Sequence, residues 1–297
     1  MIKKMFQKDD YREAIQNSKY KTVFDKECGF MRVEPYPTQN ELKGYYEGTY
    51  FDQGVLVKHD YLNDELIYRV TYLKYIDSIF KNIEKKDNIS VLEYGCGVGS
   101  FIRSLLTSRY DNCIELINGV DISNTAIKMA SNHTKSQKVY FYPLDEFIFP
   151  VKKYDLVASL EVIEHMPNVQ KIVKKMSESI NQGGIIFLTT PNYNSFEQRV
   201  FKKNWRLFCP PEHINYFTKK TLSNILNENG LKVISFNDEF VFSFTLGIRN
   251  KLSGIVPFSI IKLLTNMKKF LIYDLLNKVC RFIGFEGGKM TVIASKI

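Results

Sequence analysis

Val91-Leu92-Glu93-Tyr94-Gly95-Cys96-Gly97-Val98-Gly99 decides the fold: a short apolar run ends in an acid and then in three glycines at alternating positions. Such a run reads as a buried strand turning sharply into a helix. Glycine lacks Cβ, so the backbone at Gly95, Gly97 and Gly99 is free to take positive φ and to let a ligand approach closely. Many doubly wound α/β folds carry a turn of this kind to bind NAD, FAD or another nucleotide, so the turn alone leaves the ligand open.

The flanking residues narrow the choice. Ser100 to Tyr110 carries Phe101, Ile102, Leu105 and Leu106 at helical spacing, and Ile114 to Val120 is a second apolar run that ends in Asp121, 26 residues after Gly95. An acid at the carboxyl edge of an open α/β sheet can accept hydrogen bonds from both hydroxyls of a ribose. The spacing Glu93-x-Gly95-x-Gly97-x-Gly99 departs from the dinucleotide fingerprint, in which the last glycine comes three residues after the second. Glu93, just ahead of the glycines, disfavours a phosphate there and suits a ligand with an ammonium or sulfonium group.

At these residues the chain resembles the class I S-adenosylmethionine-dependent methyltransferases, and the resemblance continues downstream in order. Val139 to Glu146 looks like the third strand and adenine-side acid of that family, and Lys153 to Leu160 looks like its fourth strand. Glu161-Val162-Ile163-Glu164-His165 is similar to the Glu-x-x-Glu-His segment of the ubiquinone-type and small-molecule branch. Gln182-Gly183-Gly184 with Ile185 to Asn192 resembles the turn and fifth strand, and the likeness spans roughly residues 63 to 240 plus a final strand near Lys289 to Lys296. It implies a Rossmann-like α/β fold: a seven-stranded, mostly parallel sheet with helices on both faces, an N-terminal cap and a helical insertion before the last strand.

The same resemblance implies S-adenosylmethionine as cofactor. Glu93 is expected toward the methionine ammonium, Gly95, Cys96 and Gly97 at the close approach, Asp121 and Ile122 at the ribose, and Asp145 with Glu146 at the adenine. Leu160 and Glu161 lie where the fourth strand opens under the methyl group. Methyl transfer from a sulfonium is an in-line displacement, so positioning supplies much of the rate. A base is needed only where a hydroxyl or carbon acid must lose a proton.

Two Glu-His pairs, Glu164-His165 and Glu212-His213, contain two of the four histidines. The first is expected to cap a helix or close the cofactor floor. The second follows Cys209-Pro210-Pro211, and Pro-Glu-His-Ile-Asn-Tyr-Phe at 211–217 is similar to a Glu-His segment of sugar methyltransferases. His213 is therefore expected as general base, supported by Glu212. The expected acceptor is a hydroxyl of a sugar or sugar derivative in glycan or specialised metabolite synthesis, held by a nucleotide, phosphate or lipid-diphosphate handle. The alternative enzyme is a quinone-type O-methyltransferase at a membrane surface. A non-catalytic S-adenosylmethionine-binding subunit and an RNA methyltransferase are the rivals from other classes. No appended RNA-binding domain and no Asn-Pro-Pro-Tyr motif support the last, so no nucleic-acid partner is expected.

Length and composition agree with a globular protein built on one large α/β domain. The chain has 297 residues, 44% hydrophobic and 14% aromatic, which is ample for a packed core. Its five cysteines form no C-x-x-C pair, which speaks against a disulfide framework or a structural zinc site; no metal is expected, and a reducing cytoplasm is the default compartment. No signal peptide and no membrane-crossing run of about 20 apolar residues is expected.

The net charge is +9, from 41 basic and 32 acidic residues, with lysines clustered among apolar residues in the C-terminal quarter. Residues 1–62 read as a tyrosine-rich cap or lid of irregular or short elements. The Cys28-Gly29-Phe30 stretch there is similar to the end of a zinc ribbon whose other cysteines are missing. Residues 63–297 read as the methyltransferase domain, with insertions at about 194–217 and 240–286. Helical patterns are expected at Leu62 to Ile83, with Val70 on the apolar stripe, and from Thr218 as N-cap to a stop at Gly230. The basic amphipathic segment 259–282 reads as a lid, an oligomer contact or a peripheral contact with the inner face of the membrane.

Overall fold

Alternate residues along each strand feed two apolar layers, one on either side of a single sheet. The computed structural model describes residues 20–26, 29–38, 40–42, 65–85, 87–147, 153–210, 212–239, 282 and 284–297. Its strands are β1 (Lys21–Asp25), β2 (Phe30–Glu34), β3 (Ile89–Tyr94), β4 (Ile114–Asp121), β5 (Val139–Pro143), β6 (Tyr154–Leu160), β7 (Ile180–Pro191), β8 (Asn215–Tyr216), β9 (Leu231–Glu239) and β10 (Lys289–Lys296). The helices are α1 (Glu65–Asn82), α2 (Ser100–Leu106), α3 (Asn124–His133), α4 (Val169–Glu178), α5 (Phe196–Phe201) and α6 (Lys219–Glu228).

Seven strands form the main sheet in the order β5-β4-β3-β6-β7-β10-β9. Parallel ladders join β3 to β4 and β6, β4 to β5, and β6 to β7; β10 runs antiparallel to both β7 and β9. All six residues of β3 are buried, as expected of a central parallel strand covered on both faces. Leu92, Val120, Val157, Ile186 and Val292 pack on one side with α4 and α6. Val91, Ile117, Leu156, Phe187 and Ile293 pack on the other with α1 and α2. The seven-stranded, mostly parallel sheet expected from the sequence is the one found.

The order of the strands reverses between β3 and β6, which opens a crevice beyond their carboxyl ends. Local chemistry fixes the connections that frame it. The side chain of Ser123 accepts from the N–H of Ala126 and caps α3. Thr218 caps α6 in a box with Thr221, and Gly230 ends that helix at φ 70°. On α1 the stripe expected from the sequence is shifted: Ile76, Ile79 and Phe80 are buried, but Val70 is 46% exposed. Tyr72 and Tyr75 take the inward positions, where their rings meet Phe101 of α2 and Phe187 of β7.

A second, three-stranded sheet has the order β1-β2-β8. It ties the N-terminal hairpin to the segment after His213: Met31 pairs with Tyr216, Arg32 pairs with Asn215, and the N–H of Val33 donates to Ile214 O at 2.8 Å. The rings of Phe30 and Phe217 meet at 5.0 Å. Short strands thus occupy part of the region read as a cap. Cys28, Pro211 and all of 259–282 except Phe282 lie outside the described residues. No described helix is long and apolar enough to cross a membrane.

Candidate active site

The glycine turn is built by sterics. Gly95 and Gly97 hold φ of 77° and 50°, a region that L side chains enter at a cost. The N–H groups of Gly95 and Cys96 both donate to Val120 O, at 2.7 and 3.0 Å, which pins the turn to the neighbouring strand. A Cβ on Gly95 would stand 2.3 Å from Val162 Cγ2, whereas a Cβ on Gly97 would meet nothing within 4 Å. One side of the turn is therefore filled by protein and the other is open.

Two acids border the open side. Glu93 is 3% exposed, and its Oε2 has no hydrogen-bond partner. Burial, then the charge of Asp121, push its pKa well above the ordinary carboxylate range, against the pull of Arg103 and of the Ile102 N–H. Asp121 closes β4 and accepts from the N–H of Gly97 at 2.8 Å and of Ser123 at 2.9 Å. Burial raises its pKa too, and the backbone N–H groups of Ser123, Gly97 and Ile122 draw it back.

Two acids beside an open glycine turn, one with an unpartnered oxygen, are suited to a cationic ligand. The orphaned oxygen of Glu93 fits the ammonium of a methionine-type donor, and the remaining lone pairs of Asp121 fit two ribose hydroxyls. The thiol of Cys96 is buried in the core, and burial pushes its pKa well up. Ile122 is half-buried beside Asp121, and Asp145 and Glu146 are exposed in the turn after β5. That turn is tied to β4 by the N–H of Leu144 donating to Asp121 O at 2.7 Å.

Leu160 ends β6, half-buried, and Glu161 follows at φ 55°. Its conformation is held by the Glu161 N–H, which donates to Thr189 O and Oγ1, both at 3.0 Å. Thr189 Oγ1 in turn donates to Glu161 Oε1 at 2.8 Å, and Lys289 Nζ lies 3.2 Å from the same oxygen. Non-glycine residues with left-handed φ are held in place only by surroundings that over-determine them, and they gather at functional sites.

The two Glu-His pairs converge. Glu164, His165 and His213 are buried, and one ligand-type atom from each lies within 4.8 Å of the others. The imidazoles pack edge to face at 4.7 Å. Nδ1 of His165 faces Glu212 O at 2.7 Å and Nδ1 of His213 faces Leu207 O at 2.8 Å, so each ring carries its proton on Nδ1. Burial first, then the neighbouring His213, lowers the pKa of His165 to about 3, and burial lowers that of His213 to about 4. Glu164 accepts from Thr190 Oγ1 at 3.0 Å, and burial and the charge of Glu161 push its pKa well up. The three are ligand types for a small divalent cation, and they meet because His213 arrives from a loop 49 residues beyond Glu164. Glu212 is half-buried, and its carbonyl serves His165.

Aromatic side chains of α1 pack against the first turn of α2, which follows the glycine turn. Tyr68, Tyr72 and Tyr75 form a ladder along α1, with ring centroids 6.1 and 6.3 Å apart. Tyr72 meets Phe101, in the first turn of α2, at 5.7 Å edge to face. Burial raises the pKa of the Tyr72 and Tyr75 hydroxyls, and both feel the charges of Lys289 and Glu161. Sequence reading treated α1 as a cover for the sheet and did not single out these tyrosines or Lys289.

Known proteins resemble this chain in sequence and fold. The family model described as "Methyltransferase domain" matches residues 67–236. The chain is 25% identical over 193 residues to a ubiquinone biosynthesis O-methyltransferase of Pelagibacter ubique, covering 57% of this chain and 76% of that one. It is 31% identical over 108 residues to the Coxiella burnetii protein of the same name, covering 35% of this chain and 44% of its relative. The mitochondrial ubiquinone biosynthesis O-methyltransferase of Saccharomyces cerevisiae is 26% identical over 178 residues, covering 57% of this chain and 54% of the yeast protein. Among solved structures, magnesium protoporphyrin IX methyltransferase of Synechocystis with bound S-adenosylhomocysteine superposes with a TM-score of 0.55 at 16% identity, over 88% of this chain and all of that one. With that family model matching more than half of its length, the chain belongs to the S-adenosylmethionine-dependent methyltransferases.

Proposed function

We propose that the enzyme methylates a hydroxyl of an aromatic, quinone-type acceptor such as a substituted phenol or catechol. The tyrosine ladder of α1, meeting Phe101 beside the glycine turn, carries this proposal. Offset and edge-to-face aromatic contacts favour a flat ring over a hydroxyl-studded sugar. The names of the curated relatives point the same way. The sugar acceptor rested on the loop around His213 and on the ribbon-like stretch at Cys28, and none of these relatives is named for a sugar. With its pKa lowered to about 4, that imidazole is a weak base at neutral pH. We assign His213 and Glu212 the task of holding the acceptor-side loop against the Ile163–His165 turn.

On the donor side, Glu93 meets the methionine ammonium, Gly95, Cys96 and Gly97 form the close approach, and Asp121 with Ile122 holds the ribose. Asp145 and Glu146 flank the adenine, and Leu160 lies under the methyl group. The bound donor supplies an electrophilic methyl on a sulfonium; the residues orient it and exclude water. The hairpin of β1 and β2 caps the acceptor side through β8. The segment 259–282 is a candidate contact with a membrane that stores a lipid acceptor, which flotation with anionic liposomes tests.

The deciding experiment incubates the protein with S-adenosylmethionine and separate panels of substituted catechols and nucleotide sugars, and reads methylated products by mass spectrometry. Methylated catechols are expected. Methylation confined to the sugars overturns the proposal.

A further inference from the structure

Lys289 is the first residue of β10, the one antiparallel strand of the main sheet, and this direction brings an amino-terminal lysine to the edge where the parallel strands end. Its register partners are Pro191, the last residue of β7, and Glu239, the last residue of β9. Its ammonium lies 3.2 Å from Glu161 Oε1 and 5.7 Å from the centre of the Tyr75 ring. Tyr75 is itself anchored by donating to Glu239 Oε2 at 2.9 Å. The lysine side chain is 20% exposed and that of Glu161 36%, so the pair is sheltered without being sealed.

A buried ammonium is costly unless its surroundings hold the charge. Burial works against protonation of Lys289, and Glu161, Tyr75, Glu239 and Tyr72 outweigh it, so the amine is held as a cation. Tyr75 meets Tyr72 at 6.3 Å, and Tyr72 meets Phe101, two residues beyond Gly99, at 5.7 Å. The ion pair therefore borders an aromatic cluster that reaches the end of the glycine turn. Glu161 keeps its left-handed backbone through Thr189, which fixes the carboxylate that faces the lysine. An ammonium has three N–H donors, and Glu161 takes one.

We infer that Lys289 and Glu161 form a catalytic pair for the acceptor hydroxyl, with Lys289 stabilising the developing phenolate and Glu161 taking its proton. The inference rests on the aromatic acceptor proposed above. The acceptor O–H proton passes to the Glu161 carboxylate and from its exposed side to solvent. The oxygen's electron pair forms the bond to the donor methyl as the carbon–sulfur bond breaks. The sulfur keeps that bonding pair and leaves as a neutral thioether, so no oxidant, reductant or further reactant is needed. Lys289 stays protonated throughout and lowers the acidity threshold of the phenol.

The test uses 4-nitrocatechol, whose phenolate absorbs in the visible, bound to the 297-residue chain saturated with S-adenosylhomocysteine. A cation within about 4–6 Å lowers the pKa of a neighbouring acid by about 1–3 units. Relative to the ligand in solution, a drop of about that size is expected in the wild type; Lys289→Arg keeps most of it and Lys289→Met abolishes it. Unchanged S-adenosylhomocysteine affinity shows that each variant is folded. A second readout uses a series of ring-substituted catechols: Lys289→Met should slow the least acidic members most, whereas loss of mere packing slows all alike. Equal phenol pKa in wild type and Lys289→Met, or a uniform loss of rate, overturns the catalytic pair and leaves the aromatic acceptor standing. If 4-nitrocatechol does not bind although S-adenosylhomocysteine does, the aromatic acceptor falls and the pair falls with it.

Discussion

Alanine at Gly95 and at Gly97 should fail in opposite ways. Both positions hold positive φ, 77° and 50°, so alanine at either costs about 1–2 kcal/mol of backbone strain. Space separates them. A Cβ on Gly95 stands 2.3 Å from Cγ2 and 2.9 Å from Cγ1 of Val162, which is buried in the core, whereas a Cβ on Gly97 stands in the open. Displacing Val162 adds about 1–3 kcal/mol of overpacking. Gly95→Ala should therefore lose about 2–5 kcal/mol of unfolding free energy, against about 1–2 kcal/mol for Gly97→Ala. Urea titration followed by the fluorescence of buried Trp205 measures both. Adding Val162→Ala to Gly95→Ala should return the overpacking part and leave the strain. For the ligand the order reverses, because the new methyl of Gly97→Ala occupies the open side of the turn. S-adenosylhomocysteine affinity should drop by about tenfold or more, roughly 1.4 kcal/mol, in a protein that is still folded. Equal stability losses, or unchanged affinity in Gly97→Ala, would refute the division of the turn into a filled and an open side.

Other consequences concern pH. Because Glu93 has a raised pKa, a cationic donor selects its ionised form: donor affinity should rise with pH, and binding should release up to about one proton, read by calorimetry in buffers of different ionisation enthalpy. Affinity that is flat with pH, or proton uptake, would contradict this. His165 and His213 stay neutral in the fold, with values lowered to about 3 and 4, while the unfolded chain takes up protons below about 6.5. Each should therefore cost about 2 kcal/mol of stability by pH 5, and His213→Gln should remove its share from the urea midpoints. A kinetic inflection near pH 6.5 that vanishes in His213→Gln would instead restore His213 as general base. Burial pushes up the pKa of Asp155, but the Ser90 N–H, Lys85 and Asn181 pull it below the ordinary value of 3.8. Its contribution is present above that value and lost as pH falls through the folded pKa; Asp155→Asn should flatten this part of the acid limb.

The main sheet was legible because its strands are apolar runs bounded by turns, and the glycine turn with Asp121 marked the carboxyl edge. Caps were legible where one side chain decides the end of a helix, as at Thr218. Side chains that meet through sheet register were not. Lys289 stands beside Glu161 because β10 is antiparallel and starts opposite Pro191, a direction that local sequence does not encode. The convergence of His213 on Glu164 and His165 depends in the same way on Ile214, whose N–H donates to Glu164 O at 2.8 Å. The shift of the α1 stripe from Val70 to Tyr72 and Tyr75 reflects large rings that reach further than a valine. The hairpin of β1 and β2 lacks a strong alternating pattern and owes part of its pairing to β8, a strand of two residues.

The carboxyl edge bounded by Glu93, the glycine turn and Asp121 is tested most directly by titrating S-adenosylhomocysteine into wild type and Asp121→Ala by calorimetry. Saturable binding to the wild type, with at least a tenfold loss (about 1.4 kcal/mol) in the folded variant, is expected. Equal affinity in the two proteins would place the donor elsewhere and contradict the account.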